Sequence, residues 1–379
     1  MSKKILLYYP PNKRTIAIET LCKTLVESGH KLVVLTLTEK GDFHRRIEQM
    51  GVETFSITMN RKPSWKYFLN QARYLIRFCK EHKIDSVWSN LQEANMIAVL
   101  AQPLLKAKVI VFRHHAESAF FAEYGRQFNM TRNKNEVRFD KIINKLAKTI
   151  VVPSSGVWFG MEKYEKCNMS KVKLIPYIYD FSAYQNPDPI KVQLLRKEYE
   201  CNLLLIMVCR MIDTKQHLPV FRTIKKITDE GLSIKLIVMD DGPLKSQLEE
   251  YIRTNSLHNI ISLVGFRNDF INYMAAADLL VHPSLTEASN SVVKEIGLLE
   301  KTAVVCKDVG DFNDYIIDLK NGFLIERNDL DISLDFVIRK AYSNKNQLNE
   351  MGINLKIDIL QRFSNSEKNI SKYLELVAE

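Results

Sequence analysis

The alternation of two kinds of segment along the chain limits its fold more than any other feature of the sequence. Short apolar, β-rich runs alternate with longer segments that have helical patterns. The predicted strands lie at residues 4–9, 31–37, 53–57, 86–89, 109–112 and 149–153, and then at 203–209, 234–239, 260–264, 278–282, 303–306 and 322–325. Alternation of this kind predicts parallel βαβ units with right-handed crossovers.

The two series of strands predict two domains of the α/β class. A chain of 379 residues is too long for one ordinary core, and Pro187 and Pro189 interrupt regular structure between the two series. We therefore expect an N-terminal domain over residues 1–185 and a C-terminal domain over 190–357, both Rossmann-like and doubly wound, facing a cleft. Residues 358–379 form a last helical pattern, whose place in the fold periodicity alone leaves open.

Charge is distributed unevenly between the two halves of the chain. Residues 1–180 carry 30 Lys and Arg against 16 Asp and Glu, and residues 181–379 carry 24 against 28, so the net charges are +14 and −4. A basic first half indicates an anionic surface or acceptor as its partner. The sequence lacks the helix-turn-helix, zinc-finger and RNP motifs of nucleic-acid-binding proteins, and we expect no nucleic-acid partner.

The sequence predicts neither a membrane span nor a disulfide framework. No run approaches the roughly 20 apolar residues that a spanning helix needs, and the N-terminus lacks the pattern of a signal peptide. The six cysteines are scattered, without a CxxC pair or zinc-type spacing. These features predict a cytoplasmic protein with reduced thiols.

The most informative segment runs from His282 to Tyr315 and carries two carboxylates, Glu287 and Glu295, in an E-x7-E pattern. If Ser291 begins a helix, one carboxylate lies in the loop before it and the other in its second turn, so both can approach one ligand. Free N–H groups at a helix N-terminus bind phosphate, and carboxylates accept hydrogen bonds from sugar or ribose hydroxyls. The alternative is a solvated acidic loop followed by an exposed helical glutamate.

Three further segments of the second half follow predicted strands. Arg210 and Lys215 come after the strand at 203–209, and two cations there suit a diphosphate, although the alternative is an ordinary basic loop. The Asp-Asp-Gly-Pro sequence at 240–243 is a turn signal. Arg267 follows the strand at 260–264.

These segments resemble the donor-binding signature of the GT-B glycosyltransferases in the family called group 1, or GT4. The resemblance implies that Glu287 approaches hydroxyls of the transferred sugar, that Glu295 binds the ribose hydroxyls and that cations stabilise the leaving diphosphate. The family's Gly-Phe-Gly after the first glutamate is Ala-Ser-Asn in this chain, which leaves the identity of the donor open. The donor-binding residues implied are Arg210, Lys215, Arg267, Glu287, Ala288, Ser289, Asn290, Ser291 and Glu295.

In the first half, the resemblance points to the end of the strand at 109–112. His114 matches a histidine that lies beside the transferred sugar and the acceptor in the family, and His115 is the alternative. A histidine there can hydrogen-bond a sugar hydroxyl or assist proton movement; the other interpretation is a structural histidine. Asn12 and Lys13 follow the first strand, where the family has a glycine-rich loop, and are expected to meet the acceptor.

Two more segments match features of the same family. Residues 173–180 match its hinge strand, with Tyr177 in place of an asparagine. The last helix of the family crosses back to the first domain, and residues 358–379 suit that role.

The resemblance implies a reaction as well as a fold. A retaining enzyme would move a sugar from a UDP- or GDP-sugar donor to a hydroxyl of a glycan or lipid-linked acceptor, in the synthesis of cell-surface polysaccharide, lipopolysaccharide or glycoconjugate. Its catalytic residues would be His114, Glu287, Arg210 and Lys215, with neither a metal nor another cofactor required. The alternatives are a nucleotide-sugar epimerase of the same fold and a non-catalytic protein that binds sugar nucleotides.

A basic, aromatic segment of the first half suggests a further partner. Residues 61–68 read Arg-Lys-Pro-Ser-Trp-Lys-Tyr-Phe, and cations recur in the helical pattern up to Lys83. This composition suits an anionic membrane surface and predicts peripheral association with the inner face of a membrane. The alternative is an amphipathic helix over residues 65–81 that covers the sheet and keeps its charges in water.

Overall fold

The computed structural model describes residues 2–13, 15–58, 64–127 and 132–378. The chain divides into two compact units: an N-terminal unit of Met1–Ala183 with Phe363–Glu379, and a C-terminal unit of Tyr184–Arg362. The predicted domain limits, 1–185, 190–357 and 358–379, differ from these units by a few residues at each junction.

The N-terminal unit contains one parallel sheet. Its strands are β1 (Lys4–Tyr8), β2 (Lys31–Thr36), β3 (Glu53–Ser56), β4 (Ser86–Asn90), β5 (Lys108–Phe112), β6 (Thr149–Val152) and β7 (Val172–Leu174). Its first seven helices are α1 (Ile16–Glu27), α2 (Asp42–Gln49), α3 (Trp65–Glu81), α4 (Leu91–Ala101), α5 (Ser118–Tyr124), α6 (Lys134–Leu146) and α7 (Ser155–Lys163). In the described part of the chain the strand order is β3-β2-β1-β4-β5-β6-β7, so the order reverses between β1 and β4.

The C-terminal unit contains a second parallel sheet. Its strands are β8 (Leu203–Val208), β9 (Ile234–Met239), β10 (Ile261–Gly265), β11 (Leu279–His282), β12 (Thr302–Cys306) and β13 (Phe323–Ile325). Its helices are α8 (Pro189–Glu198), α9 (His217–Asp229), α10 (Lys245–Thr254), α11 (Phe270–Ala276), α12 (Ser291–Leu298), α13 (Phe312–Tyr315), α14 (Leu330–Ser343) and α15 (Lys345–Phe363), the last residue of which belongs to the N-terminal unit. The strand order within the described residues is β10-β9-β8-β11-β12-β13.

The two parallel sheets confirm the predicted fold class. Every predicted strand agrees with an observed one to within one residue at each end, and α12 begins at Ser291 as the site hypothesis required. The short strand β7 was expected only from the resemblance of residues 173–180 to a hinge strand. Both sheets are doubly wound, since each has strands added on both sides of its first strand.

Strand β4 illustrates how the buried sheet accommodates polar residues. All five of its residues are buried, as expected for a central strand of a parallel sheet covered by helices. The Trp88 indole donates a hydrogen bond to Ser86 Oγ at 3.1 Å, and the Asn90 amide donates to the Trp88 carbonyl at 3.0 Å. Because these polar groups have partners inside the fold, β4 can carry Asn90 to the carboxyl edge of the sheet.

Side-chain caps fix where several helices begin. Ser64 accepts a hydrogen bond from the Tyr67 N–H at the start of α3, and Ser154 accepts one from the Val157 N–H at the start of α7. Asp188 accepts bonds from the first N–H groups of α8, whose first residue is a proline. The proline-rich segment therefore begins a helix of the C-terminal unit, because proline at the first helical position leaves no further N–H unsatisfied.

The last helix, α16 (Glu367–Ala378), belongs to the N-terminal unit. Tyr373, Leu376 and Val377 join the hydrophobic core that α1 and the sheet build. The Tyr373 hydroxyl donates a hydrogen bond to the Pro176 carbonyl at 3.0 Å. The chain thus finishes in the unit in which it began.

Candidate functional site

The strand order of the C-terminal unit identifies where a ligand of this unit is expected to bind. It reverses between β8 and β11, and ligands of doubly wound sheets bind beyond the carboxyl ends of the strands at such a point. The loop after β8 carries Lys215 and the loop after β11 carries Glu287. The Leu285 N–H donates a hydrogen bond to the Thr214 carbonyl at 2.9 Å, which joins the two loops.

Glu287 and Lys215, which lie 72 residues apart in the sequence, form an ion pair at this point. Lys215 Nζ also donates to Ser284 Oγ at 3.2 Å, and the His282 ring donates from Nε2 to Glu287 Oε1 at 2.7 Å. The side chains of Lys215 and Glu287 are only 15% and 12% exposed. The resemblance pointed to both residues, and the structure brings them into contact.

The carboxyl group of Glu287 is held in its ionised form. Burial by itself raises the pKa of this group, but the hydrogen bond from His282 and the positive charge of Lys215 outweigh burial and hold the pKa well below its usual range. A carboxylate of this kind offers only acceptor oxygens. Glu287 can therefore accept hydrogen bonds from ligand hydroxyls at any pH near neutrality.

The loop between Glu287 and α12 has the geometry of an anion-binding helix start. Asn290 accepts a hydrogen bond from the Val293 N–H at 3.0 Å and caps the helix. The N–H groups of Ser291 and Val292 belong to the first turn, which has no carbonyl partners of its own. The positive end of the helix dipole and these donors suit a phosphate.

The backbone of Gly310 packs closely against this loop. Gly310, which follows β12, has φ +55°, and a Cβ built on it would lie 2.9 Å from Glu287 Cβ and 3.1 Å from the Ala288 carbonyl. Only glycine fits both the left-handed backbone and the contact. Gly310 thus keeps Glu287 and Ala288 against the carboxyl end of the sheet.

Glu295, in the second turn of α12, has an environment different from that of Glu287. Burial raises its pKa to about 7, although a hydrogen bond with Ser291 and the charge of Lys294 oppose the rise. Tyr184 lies near enough for the charge of Glu295 to raise the pKa of its phenol, after burial as the larger cause. Near neutral pH, Glu295 is therefore divided between its protonated and ionised forms.

The structure does not bring the two predicted arginines to this cluster. The Arg210 side chain is exposed, and no hydrogen bond or ion pair joins it to Glu287 in the part of the chain that the structure describes. Arg267 is also exposed, with its guanidinium carbon 5.9 Å from the centre of the Tyr273 ring. Both arginines follow strands at the carboxyl edge, so their roles toward the donor stay predictions.

In the N-terminal unit, His114 follows β5 and contacts residues from two other segments. Its Nε2 lies 2.9 Å from Asn90 Oδ1 and its Nδ1 contacts the Tyr177 hydroxyl. The Asn90 side-chain N–H donates a hydrogen bond to the Trp88 carbonyl, so Asn90 presents its oxygen to the ring. His114 therefore carries its proton on Nε2 and accepts a hydrogen bond from Tyr177 at Nδ1.

The surroundings of His114 keep its ring uncharged. Burial, followed by the charge of His115, lowers the pKa of the His114 ring to about 3. Both ring nitrogens are engaged within the protein, so His114 meets a ligand only if one of these bonds is exchanged. His115 is exposed, and its carbonyl accepts a hydrogen bond from Arg113 at 3.3 Å.

The two acceptor-side residues predicted after β1 differ in their contacts. The Asn12 amide donates a hydrogen bond to the Glu39 carbonyl at 2.8 Å, which connects the loops after β1 and β2. Lys13 is exposed. Neither residue contacts His114 in the described residues, and their contact with an acceptor stays a prediction.

Sequence reasoning missed several residues of these sites. His282 was named only as the end of a predicted strand and the start of the E-x7-E segment, although a histidine at the end of a strand is itself a signal. Asn90 carried no local signal, because its partner His114 lies 24 residues away. Lys294 and Asp311 were not singled out, and both are completely buried.

The described residues contain neither a group of side chains suited to a metal ion nor a helix suited to span a membrane. No three or more His, Cys, Asp or Glu side chains are grouped so that they could hold a metal ion. No helix among these residues is both long and apolar enough to cross a membrane.

Comparisons with known proteins show the family of the chain. The model of the family described as "Glycosyl transferases group 1" matches residues 196–357, and that described as "Glycosyltransferase Family 4" matches residues 16–181. The two matches cover most of both units. The chain belongs to the group 1 glycosyltransferases. It is accordingly an enzyme of the transferase class, with the GT-B fold.

The individual proteins that are similar to this chain are distant from it in sequence. An uncharacterised glycosyltransferase of Methanocaldococcus jannaschii is 23% identical over 62% of this chain and 59% of its own length. The Campylobacter jejuni N-acetylgalactosamine-N,N'-diacetylbacillosaminyl-diphospho-undecaprenol 4-alpha-N-acetylgalactosaminyltransferase is 29% identical over 71% of this chain and 72% of its own. The crystal structure of Anabaena HepE in complex with UDP has a TM-score of 0.80 and 18% identity, covering 99% of both chains.

Proposed function

We propose that this glycosyltransferase moves a sugar from a UDP- or GDP-sugar to a hydroxyl of a glycan or lipid-linked acceptor, in the synthesis of a cell-surface polysaccharide or glycoconjugate. The observation that carries the donor half of the proposal is the contact between Glu287 and Lys215 at the switch point of the C-terminal sheet. The crystal structure of HepE with UDP, and the diphospho-undecaprenol acceptor in the name of the Campylobacter enzyme, support the choice of donor and acceptor.

In this proposal, each group of the C-terminal site binds a separate part of the donor. Glu287 accepts hydrogen bonds from hydroxyls of the transferred sugar, and Glu295 accepts them from the ribose. Lys215, Arg210 and the N–H groups that open α12 hold the diphosphate. Ligand binding then replaces the ion pair between Lys215 and Glu287 with contacts to phosphate and sugar, so neither charge is left without a partner.

We further propose that the reaction retains the configuration of the anomeric carbon and needs no metal. The bond from this carbon to the diphosphate oxygen breaks, and the acceptor oxygen forms its bond on the same face. The acceptor proton passes to the leaving diphosphate, whose growing negative charge Lys215, Arg210 and the helix start stabilise. On the acceptor side, an uncharged His114 donates or accepts a hydrogen bond with a sugar hydroxyl.

The proposal is tested first by a donor screen. UDP-, GDP- and ADP-sugars are compared for thermal stabilisation, because a ligand of the folded protein raises its melting temperature. The binding donor is then supplied with lipid-linked and soluble glycan acceptors, with and without EDTA. We expect transfer that EDTA does not change and a product whose anomeric configuration, measured by NMR, equals that of the donor. Release of an epimerised sugar without acceptor, or donor binding without any reaction, would contradict it.

The variant Glu287→Gln separates a transferase from a protein that only binds nucleotides. Loss of the carboxylate should reduce kcat/KM by on the order of 100-fold, since a mispositioned sugar reacts slowly. The matched control is Glu250→Gln, which removes an exposed carboxylate paired with Arg253 on α10. Unchanged transfer by Glu287→Gln would exclude the proposed role.

We also propose that the N-terminal unit binds an anionic membrane surface through α3. Trp65 and Leu69 are 54% and 48% exposed, and at helical spacing they share a face with Arg73, Arg77 and Lys80. Exposed apolar side chains beside cations suit the headgroup region of an anionic bilayer. Residues 61–63, which open this segment in the sequence, lie outside the described residues.

Vesicle sedimentation tests the membrane proposal. Wild-type protein should bind vesicles that contain an anionic phospholipid more strongly than neutral vesicles, and added salt should weaken binding. Arg73→Glu with Arg77→Glu should abolish the difference, whereas Arg222→Glu, an exposed cation of the C-terminal unit, should keep it. Equal binding to both kinds of vesicle at low salt would end the proposal.

A further inference from the structure

A buried ion pair lies beside the loop between β11 and α12, residues 283–290, which we call the donor loop. Lys294, on α12, and Asp311, after β12, are joined by a bond of 2.7 Å from Nζ to Oδ2, and neither side chain has any exposed surface. The second oxygen of Asp311 is buried without a hydrogen-bond partner among the described residues. Burial lowers the pKa of Lys294, and the charge of Asp311 opposes this shift.

Stability alone gives little reason for such a pair. Removing two charges from water costs several kcal/mol per ion, and apolar residues of the same volume often give an equally stable or more stable protein. The unsatisfied oxygen of Asp311 adds to the cost. A role other than stability therefore has to be sought in what the pair contacts.

The contacts of Lys294 are with the donor loop. Besides Asp311, its ammonium group donates to the Asn290 carbonyl at 2.8 Å and to Ser289 Oγ at 3.1 Å. Ser289 Oγ in turn donates to Asp311 Oδ2 at 2.6 Å. Lys294 thus bonds to two segments of the chain, which are the end of the donor loop and the loop after β12.

The two segments that Lys294 and Asp311 join also support the groups proposed to bind the donor. Asn290 caps α12, so its carbonyl position sets the direction of the N–H groups that follow. Gly310, the neighbour of Asp311, is the residue that packs against Glu287. The ion pair therefore supports both the helix start and the carboxylate, although it touches neither solvent nor ligand.

We infer that Lys294 is a positioning residue, which with Asp311 fixes residues 287–291 in the conformation that binds the diphosphate and sugar of the donor. This inference rests on the proposed function, because it names what holds the same site in place. Lys294 acts through Ser289 and Asn290 and has no contact with the reacting atoms. Its loss should weaken donor binding more than it slows the chemical step.

The test compares single and double variants that remove the pair. Lys294→Met leaves the charge of Asp311 buried without its cation, so the melting temperature should fall. Lys294→Met with Asp311→Asn removes both charges at similar volume and should restore most of the melting temperature. The double variant should nevertheless bind UDP about tenfold more weakly than wild type and show the same rise in donor KM, with kcat changed less than threefold.

A matched control and a ligand-free measurement complete the test. Arg222→Met with Asp331→Asn removes an exposed ion pair of the same unit and should leave UDP affinity unchanged. Without any ligand, the amide hydrogens of residues 288–291 should exchange faster in the Lys294 double variant than in wild type. Should that variant fail to fold, the isosteric Asp311→Asn alone is measured, and a severalfold loss of UDP affinity is expected.

The outcomes separate the two proposals. The role of Lys294 is contradicted if the folded double variant, or Asp311→Asn in its place, has the UDP affinity and exchange rates of the wild type. That result leaves the proposed function unaffected. Wild-type protein that binds neither UDP- nor GDP-sugars contradicts the proposed function. In that case the exchange rates alone decide whether Lys294 orders the loop.

Discussion

At the scale of single residues, the two carboxylates of the E-x7-E segment differ because of what surrounds each one. Glu287 contacts Lys215 and His282 and stays ionised, whereas burial leaves Glu295 with a pKa of about 7. The pKa of Glu295 is higher in the folded protein than in the unfolded chain. The stability that this group contributes below its unfolded pKa is therefore lost as the pH rises toward 7. Burial therefore makes the ionised form of Glu295 unfavourable at neutral pH.

This difference predicts how donor binding depends on pH. If ribose hydroxyls donate to the ionised form of Glu295, affinity for a UDP-sugar should rise between pH 6 and pH 8, because the ionised fraction rises from roughly a tenth to nine tenths. Calorimetric titration should show a gain of up to about ninefold. Glu295→Gln should bind weakly and without this dependence. An equally steep dependence in Glu295→Gln would assign the titration to another group.

The contacts at the candidate donor and acceptor sites were predicted from sequence to unequal degrees. The resemblance identified Lys215 and Glu287, which no local pattern connects. It identified His114 but not Asn90, because that contact depends on the register of β4 beside β5. Lys294 was not singled out, since nothing in its spacing from Asp311 indicates that both side chains are buried.

At the scale of elements, the strands were predictable and the loops were not. Runs such as Leu203–Val208 are apolar throughout, as expected for buried parallel strands. Polar or turn-forming residues follow them and indicate where each strand ends. Strand β7 has a lysine between its two apolar residues, so it lacks the apolar run by which the equally short β13 was predicted. The loop conformations depend on contacts such as that of Gly310 with Glu287, which join separate elements.

That contact gives a prediction for the loop after β12. Gly310→Ala should destabilise the C-terminal unit by about 1–2 kcal/mol through its left-handed backbone and should also displace Glu287, which raises donor KM. The control is Gly231→Ala, at φ +93° with nothing within 4 Å of the added Cβ. It should cost similar stability, measured by urea unfolding, and leave donor KM unchanged. An unchanged KM in Gly310→Ala would show that Glu287 does not depend on this packing.

At the scale of the whole molecule, the chain consists of two units with separate cores. The last helix returns to the N-terminal unit and adds Tyr373 to its core. The candidate donor groups all belong to the C-terminal unit. Stability and donor binding should therefore respond separately to changes in the two units.

Variants of Tyr373 test this separation. Tyr373→Ala should destabilise the N-terminal unit by about 3–5 kcal/mol, as expected for removal of a buried aromatic ring, and Tyr373→Phe by about 1 kcal/mol, for the lost bond to Pro176. Unfolding followed in the presence of a UDP-sugar should show stabilisation of the C-terminal unit in all three proteins. Loss of donor binding in a folded Tyr373→Phe variant would contradict the separation.

The account depends most on where the sugar nucleotide binds, and amide hydrogen exchange with and without a UDP- or GDP-sugar measures that directly. We predict slower exchange in the ligand complex for the loop that carries Arg210 and Lys215 and for residues 287–295, with the rest of the C-terminal unit little changed. Protection confined to other segments, with these two loops exchanging at the same rate in both states, would contradict the central claim.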